Sequence, residues 1–155
     1  MSGRPVIAGN WKMNLTPDEV QRFFQEFRPN LSDGTPPEIL VFPTAVSLFA
    51  AQVALPAEPE VGVGVQNIHW KSGGAFTGEI SAPMAKAAGA GFTLIGHSER
   101  RHLFGETDEE VGLKVGAALG AELVPVVCVG EKLEERREGR LRRSRSSMAT
   151  EVVKG

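Results

Sequence analysis

Leu94-Ile95-Gly96-His97-Ser98-Glu99-Arg100-Arg101 decides how the rest of the chain reads. A short apolar run ends on a glycine and breaks at once into five polar residues. It reads as a buried parallel strand that hands a charged cluster to the loop beyond its C-terminal end. That end of the sheet is where α/β proteins place their chemistry.

Outward from this strand the chain repeats one unit. On its C-terminal side, Thr107-Asp108-Glu109-Glu110 is a capping box that opens a helix. The helix is expected to end at Leu119, with Gly120 as its left-handed C-terminal residue. A strand over 123–129 follows, with Pro125 near its start, where a missing ladder donor is best tolerated. Gly130-Glu131 and a charged helix from about Leu133 come next.

On the N-terminal side the first strand is Val6-Ile7-Ala8-Gly9, and Asn10-Trp11-Lys12-Met13-Asn14 follows as a polar loop. Thr16 as N-cap, Pro17 at the first helical position and Glu19 three residues beyond the cap open a helix. Its apolar residues Val20, Phe23, Phe24 and Phe27 recur with helical spacing, and Pro29 stops it. The second strand, Ile39-Leu40-Val41-Phe42, ends at Pro43, and a helical segment spans about 46–53. The third, Val61-Gly62-Val63-Gly64-Val65, is thin in side chain, so its glycines admit a close approach. The loop over 67–80 contains Gly73-Gly74-Ala75-Phe76-Thr77-Gly78-Glu79, a length and glycine content that mark function rather than connection. Ser81 then caps a helix that closes at Gly89.

Strands starting near 6, 39, 61, 92 and 123 give five βα units in series, hence a parallel sheet with helices packed outside it. Two architectures satisfy that pattern: an open doubly wound sheet, complete at five strands, and a (β/α)₈ barrel with only about five of its units, since eight need roughly 250 residues. Composition narrows the class. The 155 residues are 41% hydrophobic with a formal net charge of −2, the profile of one globular domain with a core of its own. A single cysteine, Cys128, excludes an internal disulfide framework, and there is no Cys/His cluster with zinc spacing. No apolar run approaches the ~20 residues that cross a bilayer and no signal-peptide pattern opens the chain, so a cytoplasmic location and no membrane partner are expected. Gly62-Val63-Gly64 is too short for a dinucleotide fingerprint.

The residues at the strand ends choose between the architectures. Gly9-Asn10-Trp11-Lys12-Met13-Asn14, Gly74-Ala75-Phe76-Thr77-Gly78-Glu79-Ile80-Ser81, Gly96-His97-Ser98-Glu99-Arg100-Arg101 and Val127-Cys128-Val129-Gly130-Glu131 stand in the order and spacing of triosephosphate isomerase. The resemblance, read from these motifs, covers 5–139. It implies a (β/α)₈ TIM-barrel fold, here incomplete, and a homodimer that interconverts dihydroxyacetone phosphate and glyceraldehyde 3-phosphate through an enediolate. A place in glycolysis and gluconeogenesis goes with it, and no metal or other cofactor is implied. By resemblance His97 is the electrophile, Lys12 the cation that meets the phosphorylated triose substrate, Asn10 a neutral donor beside it, Glu99 the carboxylate that pairs with Lys12, and Ser98 an aid in orienting the base. Thr77 and Phe76 fall where the family's long loop enters the neighbouring subunit.

These residue types suit that chemistry. Removing a proton next to a carbonyl develops negative charge on oxygen, and a positioned donor that keeps its own proton stabilises it. A helix N-terminus directed at the His97 ring favours the neutral form. Arg100 and Arg101 read as a structural ion-pair network, His69 and His102 as loop and surface histidines, and Cys128 as core.

The sequence also departs from the family. The catalytic base of the family lies after its sixth strand in a stretch built around Tyr-Glu-Pro-Val-Trp, and nothing here matches it; Glu58-Pro59-Glu60 precedes the third strand and is not its counterpart. From Arg136 to Arg145 six of ten residues are arginine, followed by Ser146 and Ser147. The expected organisation is therefore a partial barrel over 1–139 and a basic, unstructured tail over 140–155, as a truncated or frame-shifted coding sequence would give. Five strands curved for a barrel leave two unpaired edges and an uncovered inner face. A marginal, molten or aggregating chain, or one needing a complementary fragment, is expected on that ground. A non-enzymatic phosphate-binding or interaction domain on an open five-stranded sheet is the alternative. A nucleic-acid-binding basic arm over 136–147 is disfavoured, because it lacks interleaved aromatics.

Overall fold

Every parallel strand read from the sequence forms, and the strands assemble in chain order. The computed structural model describes residues 4–29, 36–57, 60–130 and 151–152. β1 (Val6–Asn10), β2 (Glu38–Phe42), β3 (Val61–Val65), β4 (Phe92–Ile95) and β5 (Val124–Val127) are parallel, each hydrogen-bonded to the next. A doubly wound sheet reverses its strand order at a switch point. This one does not, so it is an incomplete (β/α)₈ barrel rather than the open alternative.

α1 (Pro17–Glu26) begins as its sequence dictates: the Glu19 carboxylate accepts the Thr16 N–H at 2.7 Å and the Thr16 hydroxyl at 2.8 Å. Its buried face, Val20 and Phe24, packs with Trp11, Phe23 and Phe27 in an aromatic cluster with centroids 4.9 to 6.2 Å apart. A 3₁₀ turn (Ala45–Ser47) leads into α2 (Leu48–Ala54), and α3 (Ala82–Ala87) is capped by Ser81, whose hydroxyl oxygen accepts the Met84 N–H. α4 (Ser98–Leu103) and α5 (Asp108–Gly120) follow β4. Among the described residues no helix is long and apolar enough to cross a membrane.

The sheet alternates its side chains between two clusters. Ile39, Val41, Val61, Val63, Val65 and Ile95 join the helices in one, and Leu40, Phe42, Leu94 and Val126 form the other on the concave face. That second cluster corrects the expectation of an uncovered inner face: all four of its residues are buried. Part of the cover comes from β3. A Cβ at Gly64 would lie 2.5 Å from the Phe42 ring and 2.7 Å from the Phe92 carbonyl, and one at Gly62 2.6 Å from both Leu40 and the Phe92 ring. The approach that the bare strand admits is that of these large side chains.

Three local readings change. The stretch after His97, expected as a loop, is α4; six residues with no apolar periodicity carry no helical signal. The left-handed residue after α5 is Glu122 (φ 56°), not Gly120, which stays in the helix. The Leu123 N–H bonds the Ala118 carbonyl at 2.9 Å and the Glu122 N–H that of Leu119 at 3.1 Å, a Schellman closure whose position is set by burial of Leu123. The expected strand over 123–129 is shorter, 124–127. The helix expected from Leu133, and Glu58-Pro59, lie outside the described residues, as does the basic tail except for β6 (Glu151–Val152), whose backbone pairs antiparallel with β5. Of the two expected free edges, β5 therefore carries β6. β1, at the other edge, is exposed, with Ile7 58% accessible.

Gly64→Ala places a methyl group into ring and backbone atoms that have no room to yield. A loss of about 1 to 3 kcal/mol in urea unfolding is the expected outcome.

Candidate active site

The loop after β1 is tied down before any side chain reaches outward. The Trp11 N–H donates to the Phe42 carbonyl at 3.1 Å, the Lys12 N–H to Asn10 Oδ1 at 2.9 Å, and Asn14 Nδ2 to the Trp11 carbonyl at 2.8 Å. Lys12 itself has a left-handed backbone, φ 53°, a conformation that costs a non-glycine residue roughly 1–2 kcal/mol. Gln66, just past β3, holds it there, donating from Nε2 to both the Lys12 and Phe42 carbonyls at 2.8 Å.

From this loop Lys12 Nζ reaches Glu99 Oε1 at 2.6 Å, joining residues 87 positions apart. The hydrogen bond from Lys12 holds the Glu99 carboxyl below its ordinary range, so it stays ionised. His97 is the N-cap of α4, and its Nδ1 accepts the Glu99 N–H at 3.3 Å. A proton on Nδ1 would leave no lone pair for that bond, so the hydrogen bond assigns the neutral ring's proton to Nε2. Glu99 Oε2 also lies 3.5 Å from Nδ1 and pulls the other way, but its charge is already engaged by Lys12. The three predicted residues Lys12, Glu99 and His97 thus form one half-exposed cluster at the C-terminal ends of β1 and β4. Asn10 stands beside it as the acceptor that shapes the Lys12 turn.

Below the cluster is a buried network. Glu106 accepts the Gly96 N–H at 3.0 Å on Oε1, and Arg100 Nε at 2.7 Å and Lys114 Nζ at 2.8 Å on Oε2. Lys114 also donates to Asn67 Oδ1 at 2.8 Å. Glu106 and Lys114 are 7% and 3% exposed. Burial pushes the Glu106 carboxyl up, and the hydrogen bonds from Lys114 and Arg100 more than offset it, so it lies below its ordinary range. The carbonyl of Gly96 takes Arg101 Nε at 2.8 Å, and Arg101 pairs with Asp108 at 2.6 Å. The two arginines have the structural role that the sequence indicates. At Gly96 (φ 73°) a Cβ would meet Arg101 at 2.9 Å and Val111 at 3.1 Å, so the turn into His97 needs glycine.

Phe76 and Thr77 are not part of the Lys12 cluster within one chain. They belong to the long loop, where the His69 ring lies 4.1 Å from that of Phe76 and stacks on that of Trp70, also at 4.1 Å. His69 is a loop histidine, as read from the sequence, and it is buried. A pocket of about 300 Å³ lined by Trp70, Phe76, Thr77, Arg100, Glu106 and Lys114 separates this loop from the network. Cys128 packs against the inner cluster, and burial pushes its thiol up, which fits core rather than nucleophile. Among the described residues no group of three or more His, Cys, Asp or Glu is placed to hold a metal ion.

The family model described as triosephosphate isomerase matches residues 5–155. The chain belongs to the triosephosphate isomerase family. Triosephosphate isomerases of Solibacter usitatus and Alkaliphilus metalliredigens are each 48% identical to it, over 88% and 86% of this chain and 55% and 53% of their own lengths. That of Thermoanaerobacter pseudethanolicus is 43% identical over 98% of this chain and 60% of its own. The chain spans somewhat more than half the length of these relatives. The triosephosphate isomerase match also runs past Gly139 to residue 155, through the arginine-rich segment, so the resemblance extends further than its motifs indicate.

Gln66, Asn67, Glu106 and Lys114 are the site-supporting residues that the sequence does not announce. Their one signal is position, directly after β3 or flanking the second capping box. The stability Glu106 contributes is complete above the ordinary carboxylate value of 4.5 and is lost as pH falls through its lower folded value. Urea midpoints are expected to fall on acidification below about pH 5. Glu106→Gln, which leaves Lys114 buried without its counter-charge, is expected to cost about 3 to 5 kcal/mol at pH 7 and to flatten that acid dependence.

Proposed function

We propose that this chain forms the electrophile-bearing part of a triose-phosphate isomerase site, acting on dihydroxyacetone phosphate and glyceraldehyde 3-phosphate through an enediolate. The observation that carries the reading is the Lys12–Glu99–His97 cluster at the strand C-termini of a chain from this family. With Nδ1 capped by the Glu99 N–H, the His97 ring offers Nε2–H to the carbonyl oxygen on which charge develops. Lys12, half exposed and held in place by Glu99, offsets the charge of the phosphate and of the enediolate. We assign no residue of this chain to proton abstraction, because no stretch of it resembles the one that carries the family's base. That same observation favours a second reading, phosphate binding without turnover.

Tryptophan fluorescence, with Trp11 next to Lys12, reports binding, and turnover separates the readings. Titration with dihydroxyacetone phosphate is expected to give a saturable change that weakens roughly tenfold or more in Lys12→Met, the value of one charged hydrogen bond. Isomerase turnover lost in His97→Gln supports the catalytic reading, and Lys12-dependent binding with no turnover supports the second. No saturable binding, or turnover unchanged in His97→Gln, overturns both.

The partner in this reading is a second copy of the chain, and the location is the cytoplasm, in glycolysis and gluconeogenesis. Thr77 is exposed at the end of a loop already stiffened by the Phe76–His69 contact, and Met13 beside Lys12 is 93% exposed. A Thr77→Arg chain is expected to sediment as a monomer at concentrations where the unaltered chain is a dimer, with its circular dichroism unchanged.

A further inference from the structure

We propose that Glu106 is the positioning residue for His97, fixing through Gly96 and Arg100 the turn that leaves Nε2–H as the outward donor. The inference rests on the isomerase reading for its purpose but not for its geometry. Among the described residues the His97 ring makes one hydrogen bond, Nδ1 accepting the Glu99 N–H, with Glu99 Oε2 at 3.5 Å from the same nitrogen, and a bond of 3.3 Å is weak enough to be lost if α4 tilts or slides relative to β4. Glu106 holds both sides of that joint. Its Oε1 takes the N–H of Gly96, the residue before His97, and its Oε2 takes Arg100, the residue after Glu99. The Glu106 N–H also bonds the Arg100 carbonyl at 3.1 Å, so backbone and side chain grip the same turn.

The grip closes into a ring. Lys114 ties Glu106 to Asn67; Gln66, its neighbour in the chain, holds the Lys12 carbonyl; Lys12 Nζ holds Glu99; and the Glu99 N–H holds His97. A plain buried ion pair would need only Lys114 and Glu106. The carboxylate instead divides its two oxygens between the strand end and the helix, placing His97 within a span anchored at both ends. Such shared, fully satisfied buried networks specify one geometry.

The test reads the imidazole directly in the full 155-residue chain without substrate. With ¹⁵N-labelled histidine, the three histidines give separate long-range ¹H–¹⁵N correlations whose nitrogen shifts report tautomer and hydrogen bonding. At neutral pH the unaltered chain is expected to show His97 as the Nε2–H tautomer with Nδ1 hydrogen-bonded. In Glu106→Gln its two nitrogens are expected to move toward the averaged shifts of a free, mixed-tautomer ring, while His69 and His102 stay in place. Val61→Ala, a destabilising change at the far end of β3, is expected to move none of the three. A folded Glu106→Gln chain with unaltered His97 shifts overturns the proposal, as does a Val61→Ala chain that moves His97 equally. If Glu106→Gln does not fold, Arg100→Gln, which breaks only the partly exposed arm, is read the same way, and unchanged shifts there overturn it. Because no triose phosphate is present, this outcome is independent of whether the isomerase reading survives.

Discussion

A parallel sheet whose strands follow one another without reversal brings every strand-to-helix turn to the same end of the molecule. The site depends on this constraint. Lys12 leaves the first of these turns and Glu99 the fourth, and only curvature of the intervening sheet lets an ammonium and a carboxylate so far apart in sequence meet at 2.6 Å. The pair is half exposed and worth little to stability by itself. Its value is in geometry, since each partner is held from its own side.

What holds them is drier and more costly. Lys114 and Glu106 are both removed from water, and a buried charge is tolerated only when it is paired and its remaining hydrogen-bonding capacity filled. Lys114 has Asn67 as a second acceptor, and Glu106 has Arg100 and the Gly96 amide. An apolar pair of similar volume would hold α5 against the sheet as well. It could not grip a backbone amide next to His97, which gives a physical reason for charge in this place.

The fold was legible wherever its cause is local. Two capping boxes announce α1 and α5, the unbroken apolar run 39–42 announces β2, the short apolar run that ends on Gly96 announces β4, and the glycines of β3 forecast the close approach that Phe42 and Phe92 make. α4 was not legible, because six mostly polar residues become a helix only when Glu106 and Asp108 reach back to Arg100 and Arg101. The same holds for Glu122: a glycine two positions earlier looked like the stop, but burial of Leu123 determined where the chain turned. Lys12, Glu99 and His97 were legible as residues with roles, and the ring of Gln66, Asn67, Lys114 and Glu106 behind them was not. Nothing in a sequence marks a glutamate as dry. The arginine-rich segment misled in the opposite way, since its composition hid a family match that continues through it.

The strand order has a consequence for how the chain can be made. Each of β2 to β5 pairs with the strand that precedes it in the chain, so during synthesis every new strand emerges after its pairing partner, and the closure entropy of each step is that of a connection about 18 to 28 residues long. Growth of this kind is vectorial and keeps contact order low for a parallel sheet. The bond between Lys12 and Glu99 is the exception. It spans three of these steps and can form only after β4 has emerged, so the growing sheet exists as a scaffold before it possesses a site.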